Sequence, residues 1–302
     1  MEANHKVSDA IGWSPGEAPV AVIMISLNEE HNMRDVLDNL GGWAQEVFLI
    51  DSYSTDKTVD IALSYGVHVV QRRFHGFGDQ WNWALKNLPI TSKWTMKLDP
   101  DERMSNELKH ALKAAVYTGN APSYSLGRRL WFMGRPLPVR QKIPRVWLTG
   151  KCIFTDVKVN EHPIVIGPTV HVIGDLEHFD SPTLDHWIDK QNKYTTTEAH
   201  ISVDGAPLSD RPYLFGTSLQ RKMWIKKNFY KIPLFYFWLF LYHWLWLGAY
   251  RAGFAGYVWS RYRSEVMRMI AYKRWELKFS DRLPNKVCVT IGSPDPRVRQ
   301  FD

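Results

Sequence analysis

Four short apolar runs, each followed by a segment of helix-like composition, dominate the first 117 residues of the chain. The runs are 20–26, 46–51, 67–71 and 94–98, and the segments that follow them are 29–40, 56–65, 79–88 and 105–117. Because nearly every position in the runs is apolar, strands formed by them would be buried on both faces. The pattern therefore predicts an α/β fold in which helices cover both faces of a mainly parallel sheet.

Composition sets further limits on the class of protein. The chain has 302 residues, of which 45% are hydrophobic and 23% charged, so it can form a large core and is not mostly disordered. Its two cysteines exclude a disulfide framework and favour a reducing, cytosolic compartment. We expect a mobile leader at 1–18 that is no secretory signal, a catalytic domain at 19–220, a helical segment at 221–280, and a tail at 281–302 that adds nothing to the core.

Polar residues follow all four apolar runs, at the edge where an open parallel sheet binds ligands. Asn28 and Asp56, taken singly, are typical of helix N-caps. Asp99 and Asp101 would point the same way if strand geometry persisted, and two such carboxylates repel each other unless a cation lies near them. Mg²⁺ or Mn²⁺ bound by one or two carboxylates and by phosphate oxygens is therefore expected here.

The glycines at 76 and 78 do not form a dinucleotide-binding fingerprint. The third glycine is missing, and the stretch follows the third apolar run rather than the first. A nicotinamide site is therefore excluded, and an ATP-hydrolysing site is excluded because the sequence has no Walker-type phosphate loop. Close backbone approach to a flat ligand and a plain turn both stay open as roles for these glycines.

The segment between Arg221 and Lys278 is basic and aromatic. It contains twelve Lys or Arg, two acidic residues, six of the fourteen Trp and seven of the thirteen Tyr, while 232–250 has no charged residue. Trp and Tyr prefer the headgroup boundary, and basic flanks on both sides suit an element lying on one anionic leaflet. A helical hairpin that packs on the enzyme or on another subunit is the alternative. An apolar helical stripe is expected from Val258, Tyr262, Val266 and Ile270.

The order of motifs resembles glycosyltransferase family 2, and within it the lipopolysaccharide-core β-1,4-glucosyltransferases and related polysaccharide enzymes. The likeness is carried by SLNEE at 26–30, DSYSTD at 51–56, FHGFG at 74–78, QWN at 80–82 and LDPDER at 98–103. It continues through Arg128 and Arg129, 134–135, PRVW at 144–147, VNEH at 159–162, His178, Lys190 and Tyr194. The resemblance implies a GT-A fold, a Rossmann-like α/β fold, here followed by a C-terminal aromatic and basic helical appendage.

The resemblance also implies roles for individual residues. Glu161 would be the general base, and Asp101 would bind the Mg²⁺ or Mn²⁺ that bridges the diphosphate. Nucleotide-sugar contacts would come from Ser26, Asn28, Glu29, Asp51, Ser54, Gly78, Gln80, Asn82, Asp99 and Arg145. Acceptor contacts would come from Arg128, Arg129 and His178.

Together these features predict an inverting glycosyltransferase on the cytoplasmic side of the inner membrane, with peripheral attachment. It would move a sugar from a nucleotide donor, UDP-linked, to a lipid-linked glycan, lipopolysaccharide or exopolysaccharide precursor. Nucleic acid is not an expected partner, and homo-oligomerisation stays open. Two alternatives are a sugar-1-phosphate nucleotidyltransferase, which would need a glycine-rich triphosphate loop near the first strand, and a non-catalytic basic membrane or nucleic-acid binding protein, which would leave the acidic edge unexplained.

Overall fold

The computed structural model describes residues 12–155, 162–203, 210–279 and 291–302. The strands are β1 (Ala18–Ser26), β2 (Ala44–Asp51), β3 (His68–Arg72), β4 (Trp94–Lys97), β5 (Glu102–Met104), β6 (Ser123–Phe132), β7 (Arg135–Leu148), β8 (Cys152–Phe154), β9 (Pro163–Val165), β10 (Thr169–His178) and β11 (Arg299–Phe301). The α-helices are α1 (Glu30–Leu40), α2 (Thr58–Ser64), α3 (Phe77–Asn87), α4 (Asn106–Thr118), α5 (Leu184–Val203), α6 (Ser218–Asn228), α7 (Phe235–Leu241) and α8 (Gly253–Phe279). Short 3₁₀ or π segments are Phe229–Lys231, Tyr242–Trp246 and Ala249–Ala252.

The main sheet has the strand order β11-β3-β2-β1-β4-β7-β6-β10-β5. The pairs β11/β3, β3/β2, β2/β1 and β1/β4 are parallel, and β4/β7 is antiparallel. Ser26 pairs with Asp51, and Asp51 pairs with Gln71, so the carboxyl ends of three neighbouring strands lie level. This register brings the loops after β1, β2 and β3 to one edge of the sheet.

The two faces of β1 pack against different helices. Val20, Val22 and Met24 join the hydrophobic cluster that contains buried residues of α1, α2 and α4. Ala21 and Ile23 belong to a second cluster, which contains Trp81 and Ala84 of α3. The predicted burial of the strands on both faces is therefore confirmed, and the mainly parallel sheet is confirmed with it.

The eight elements expected between 20 and 117 are all present, with bounds that differ from the prediction by no more than two residues. Strand geometry does not persist to the Asp99–Asp101 pair, however, because β4 ends at Lys97 and a turn precedes β5. The expectation that the tail adds nothing to the core is wrong. Val298 is buried in the first cluster, and β11 pairs with β3 at the edge of the sheet.

The chain forms two compact units. The first comprises 1–128, 141–177 and 290–302, and the second comprises 129–140 and 178–289. In the second unit, α5 packs on α8 and the core contains Phe132, Trp187, Trp259, Val266 and Ile270. The apolar stripe expected on 258–270 faces this core, since Val258 and Tyr262 also pack against it. The predicted boundaries at 18, 220 and 280 stay predictions.

Among the helices in the described ranges, none combines the length and the apolar composition that a bilayer span requires.

Candidate active site

The loops after β1 and β2 hold two non-glycine residues in the left-handed region of backbone space. Asn28 has φ 57° and Tyr53 has φ 64°, conformations that cost of order 1–3 kcal/mol each and cluster at functional sites. The Asn28 side-chain oxygen accepts a hydrogen bond from the backbone N–H of Thr55 at 2.7 Å, and the Asn28 N–H donates to Ser54 Oγ at 2.8 Å. The two loops are thereby joined.

The helix-cap interpretation is wrong for Asn28, whereas Asp56 lies one residue before Lys57, the N-cap of α2, and still binds backbone N–H groups at helix starts. Asn28 makes no cap to α1, because its side chain binds the neighbouring loop instead. Asp56 accepts hydrogen bonds from the backbone N–H of Thr58 at 2.9 Å and of Glu30 at 3.0 Å, which are the first residues of α2 and α1. The backbone N–H of Glu29 donates to Thr58 Oγ1 at 2.8 Å. The loop between β2 and α2 thus fixes the start of both α1 and α2.

Asp51 is fully buried at the end of β2 and accepts four hydrogen bonds from protein groups. Its Oδ1 accepts from the hydroxyls of Ser26, at 3.1 Å, and Ser54. Its Oδ2 accepts from the Ser54 N–H at 2.9 Å and from Gln71 Nε2 at 2.8 Å. A buried carboxylate is stable only with such partners. Asp51 therefore fixes the geometry of the ends of three strands.

Three of the residues predicted to contact the nucleotide sugar lie on α3. Gly78 is buried in its first turn. Gln80 is fully buried, and its Oε1 accepts a hydrogen bond from Arg72 at 2.7 Å. Asn82 donates to the backbone oxygen of Phe154 at 3.0 Å and accepts from the backbone N–H of the same residue at 2.7 Å. Gln80 and Asn82 thus hold α3 to its neighbours within the first unit.

Asp99, Glu102 and Arg145 form an ion network beside the fourth strand. The Arg145 guanidinium donates to Asp99 Oδ2 at 2.8 Å and to Glu102 Oε1 at 2.5 Å. Glu102 and Arg145 are buried, and Arg128 lies 3.5 Å from the same Glu102 oxygen. Burial alone would raise the pKa of Asp99, but the charges of Arg145 and Lys97 and the Arg145 hydrogen bond hold it well below its usual range. Asp99 is therefore ionised at neutral pH.

Asp101 lies in the turn between β4 and β5, with 7% of its surface exposed. Arg103 holds this turn by donating to the backbone oxygens of Pro100 at 2.5 Å and of Asn32 at 2.9 Å. Mg²⁺ and Mn²⁺ prefer hard oxygen donors, and in diphosphate sites one or two carboxylates suffice because phosphate oxygens and water fill the other positions. The carboxylate chemistry of Asp101, on a fixed turn at the sheet edge, fits such an ion.

The remaining predicted residues are placed as follows. Arg128 donates to Gln141 Oε1 at 2.7 Å as well as facing Glu102. In the second unit, the guanidinium of Arg129 lies 5.9 Å from the ring centroid of Trp131, and His178 ends β10. Glu161, the predicted base, lies outside the described residues.

Sequence reasoning did not single out three residues of this region. Glu102 is the fully buried partner of Arg145, and Gln71 is the amide that binds Asp51. Lys97 Nζ lies 4.6 Å from the ring centroid of Trp81, a cation–π contact. Glu102 stands inside the LDPDER motif, which was a usable signal, whereas Gln71 had none because its partners are distant in sequence.

The comparison with protein families identifies the class. The sequence profile of glycosyl transferase family 2 matches residues 21–172, about half of the chain and the part that carries the network above. The chain therefore belongs to glycosyl transferase family 2, and the GT-A fold and the resemblance drawn from the motifs are confirmed.

Relatives in this family include a lipopolysaccharide enzyme. The lipopolysaccharide core biosynthesis glycosyltransferase LpsC of Rhizobium meliloti (strain 1021) is 25% identical over 80% of this chain and 86% of its own length. An uncharacterized glycosyltransferase of Rickettsia bellii (strain RML369-C) is 28% identical over 63% of this chain and 61% of its own.

Two solved structures show weaker likeness. Glucosyl-3-phosphoglycerate synthase from Mycobacterium tuberculosis, solved with Mn²⁺, uridine diphosphate and glucosyl-3-phosphoglycerate, is 23% identical over 38% of this chain and 44% of that one, with a TM-score of 0.30. TarS of S. aureus is 14% identical over 80% of this chain and 55% of that one, with a TM-score of 0.40. These scores are low, so nothing about function follows from them.

Proposed function

We propose that this glycosyltransferase inverts the anomeric carbon of a nucleotide sugar, UDP-linked, and transfers the sugar to a lipid-linked glycan of the lipopolysaccharide or exopolysaccharide type. The observation that carries the proposal is the ion network at the carboxyl edge of the sheet. There Asp99 is kept ionised by Arg145, and Asp101 stands two residues further on. Family membership favours sugar transfer over the two alternatives considered from the sequence.

In the proposed reaction, the acceptor hydroxyl attacks the anomeric carbon as the bond to the nucleotide diphosphate breaks. Asp101 would hold a divalent cation, which when bound supplies Lewis-acid stabilisation of the leaving diphosphate. Asp99 orients the donor from the carboxyl edge, and Arg145 fixes Asp99 by its hydrogen bond. Ser26, Asn28, Glu29 and Ser54 belong to the loops that would border the nucleotide.

Glu161 is the proposed general base, which takes the proton from the acceptor hydroxyl. A base on one face of the sugar and a leaving group on the other give a single displacement with inversion. Glu161→Gln should retain donor binding and lose transfer. Glu107→Gln, an exposed change on α4, is the control and should leave both unchanged. Transfer that survives in Glu161→Gln would assign the base to another residue.

The proposed acceptor is lipid-linked because the second unit carries an exposed apolar area. We call it the aromatic surface, and it consists of Phe237, Trp238, Leu245, Trp246 and Phe254, each at least half exposed. Exposed patches of this kind mark interaction sites. Trp and basic residues together suit an anionic leaflet, and we propose the cytoplasmic leaflet as the partner. The relative LpsC, named for lipopolysaccharide core biosynthesis, supports a glycolipid acceptor.

A donor screen tests the proposal. Thermal unfolding is recorded with UDP-, GDP- and dTDP-sugars, each with and without Mn²⁺, and nucleotide release is then measured with the donor that stabilises most. A UDP-sugar is expected to raise the unfolding temperature in the presence of Mn²⁺. Stabilisation by none of the donors, or pyrophosphate release from a nucleoside triphosphate, would contradict the proposal.

A further inference from the structure

Arg263 of α8 is a cation of the second unit that has no role in the proposed reaction. Its side chain is exposed, and within the described part of the chain it forms no ion pair and donates no side-chain hydrogen bond. Two other arginines of the same helix do have a partner, since Arg261 and Arg268 lie 3.6 and 3.5 Å from Glu265. All the N–H donors of the Arg263 guanidinium are therefore available to a ligand.

The guanidinium of Arg263 lies in a recess rather than on an open face. Surrounding protein desolvates it and thereby lowers its pKa, although water still reaches the side chain. On either side of it α8 is packed against α5, because the ring of Tyr262 lies 5.4 Å from that of Trp187 and Lys273 donates to Thr196 Oγ1 at 2.7 Å. A charge in such a recess attracts an ion of opposite sign more strongly than a charge on an open surface does.

The groups near Arg263 leave its charge unbalanced. Of the two groups whose charges act favourably on it, Tyr194 and Asp180, only Asp180 is a carboxylate. Asp180 already binds Lys190, whose Nζ lies 2.8 Å from Asp180 Oδ1. His243 adds no charge at neutral pH, because burial and then the charge of Arg263 lower its pKa. Two cations thus share one carboxylate, and a negatively charged ligand would restore the balance.

The recess lies beside the aromatic surface. His243 is buried, and its ring lies 5.1 Å from that of Trp259, which stands one helical turn before Arg263 on α8. The short segment that contains His243 also contains Leu245 and Trp246, two members of the aromatic surface. An anion bound to Arg263 would therefore lie close to side chains that are exposed for contact with lipid.

The position and the donor chemistry of Arg263 favour phosphate as the anion. A guanidinium donates two parallel hydrogen bonds to the oxygens of one phosphate group. Trp and Tyr side chains settle at the headgroup level of a bilayer, which is also the level of the lipid phosphates. An arginine recess next to such side chains thus meets phosphate before any other anion of the membrane.

We propose that Arg263 anchors a binding site for the phosphate of an anionic membrane lipid, whose apolar part contacts the aromatic surface. The inference rests on the part of the proposed function that puts the aromatic surface on a leaflet, and it adds the chemical group that the leaflet must present. Attachment would then be selective for phosphate and would not follow negative charge alone.

Cosedimentation of the full chain with two kinds of vesicle tests this selectivity, without donor and without Mn²⁺. Both vesicles consist of phosphatidylcholine, with phosphatidic acid in one and cholesteryl hemisuccinate, a carboxylate amphiphile, in the other, at matched zeta potential. Arg263→Gln removes the guanidinium and Arg263→Lys keeps only its charge. Arg261→Gln is the matched control, an exposed arginine on the same helix. Unfolding temperatures of all variants are recorded with and without inorganic phosphate, a soluble source of the same group.

The unaltered protein is expected to bind phosphatidic acid vesicles about tenfold more tightly than carboxylate vesicles, a difference of about 1.4 kcal/mol. Arg263→Gln should abolish this preference and Arg263→Lys should reduce it, while Arg261→Gln should weaken binding to both vesicles equally. Arg263→Gln should unfold at the same temperature as the unaltered protein, because no ion pair is lost.

A preference for phosphatidic acid that persists in Arg263→Gln, or equal binding of both vesicles by the unaltered protein, would overturn the inference. Stabilisation by inorganic phosphate that depends on Arg263, together with equal vesicle binding, would assign the recess to a soluble phosphate and overturn the lipid as its ligand. If the unaltered protein binds neither vesicle, the proposed membrane contact fails as well, whereas equal binding of both leaves that contact intact.

Discussion

At the carboxyl edge of the sheet, charged side chains are buried and paired, whereas in the second unit large apolar side chains lie exposed. Glu102 and Arg145 have almost no contact with water, while Trp246 is 82% exposed. Each arrangement is costly in isolation, since a buried charge loses its hydration and an exposed apolar patch promotes association. The first cost is offset inside the unit by ion pairs, so this region is complete by itself. The second is offset only if another surface covers the aromatic residues.

The largest expected effect on stability comes from replacing Arg145. Arg145→Met leaves Asp99 and Glu102 without their shared partner, and we expect the free energy of unfolding to fall by about 3–5 kcal/mol. Urea unfolding measures it, with Arg135→Met as the control because Arg135 is exposed on the same strand. Equal stability of the two variants would show that the network is not needed by the fold.

A substitution at Asp101 tests whether the carboxyl edge of the sheet contributes to sugar transfer as well as to the stability of the fold. Asp101→Asn keeps the side-chain shape but removes the charge, and kcat/KM for sugar transfer in Mn²⁺ should fall by about 10²–10³-fold. Asp35→Asn is the control, since the carboxylate of the exposed Asp35 lies 3.9 Å from the Arg103 guanidinium. A change of less than twofold in Asp101→Asn would remove Asp101 from the metal site.

His243 provides a pH test in the second unit. Burial, and then the charge of Arg263, lower its pKa from 6.5 to about 4. The unfolded chain therefore takes up a proton near pH 6.5 that the folded protein resists, so stability is complete above that pH and declines as pH falls toward 4. Between pH 7 and pH 5 we expect a loss of about 2 kcal/mol.

In His243→Gln the drop in stability between the two pH values should be smaller by this amount, which leaves the contribution of His68, whose pKa burial also lowers. His110→Gln, an exposed change on α4, should retain the unaltered pH dependence. The same pH dependence in all three proteins would contradict burial of a neutral His243.

The smallest effect on stability is expected on the aromatic surface. Trp246→Ala should change the free energy of unfolding by no more than about 0.5 kcal/mol, because little is buried there. Cosedimentation with vesicles that contain anionic lipid should nevertheless decrease several-fold. Trp275→Ala, an exposed change on α8 outside the aromatic surface, is the matched control. Equal vesicle binding by both variants would assign the aromatic surface to another partner.

Local patterns predicted the elements of the first 117 residues because each strand is a continuous apolar run with a helix after it. The motif residues at the ends of those strands were also recognised, and Ser26 and Ser54 both donate hydrogen bonds to Asp51. What the sequence did not reveal depended on distant contacts. Asn28 binds a loop 27 residues away, and Arg145 pairs with Glu102, 43 residues away.

Local patterns also failed to predict the structure of residues 291–302, the C-terminal segment. A three-residue strand preceded by prolines has no periodicity, and β11 forms because β3 offers an unpaired edge. The resemblance implies a nucleotide-sugar contact for Arg145, and the structure adds that Arg145 is buried between the carboxylates of Asp99 and Glu102. Sequence patterns thus indicate which residues carry charge at the edge, and packing decides which of them pair with each other.

The decisive experiment measures UDP release together with transfer of radiolabelled sugar from a UDP-sugar to a membrane glycolipid extract. It tests whether the protein moves sugar to a lipid-linked acceptor. We expect label to enter the lipid fraction in proportion to the UDP released, in the presence of Mn²⁺, and Asp101→Asn to lower both about 10²–10³-fold. UDP release without label in any lipid or glycan, or equal transfer by Asp101→Asn, would contradict it.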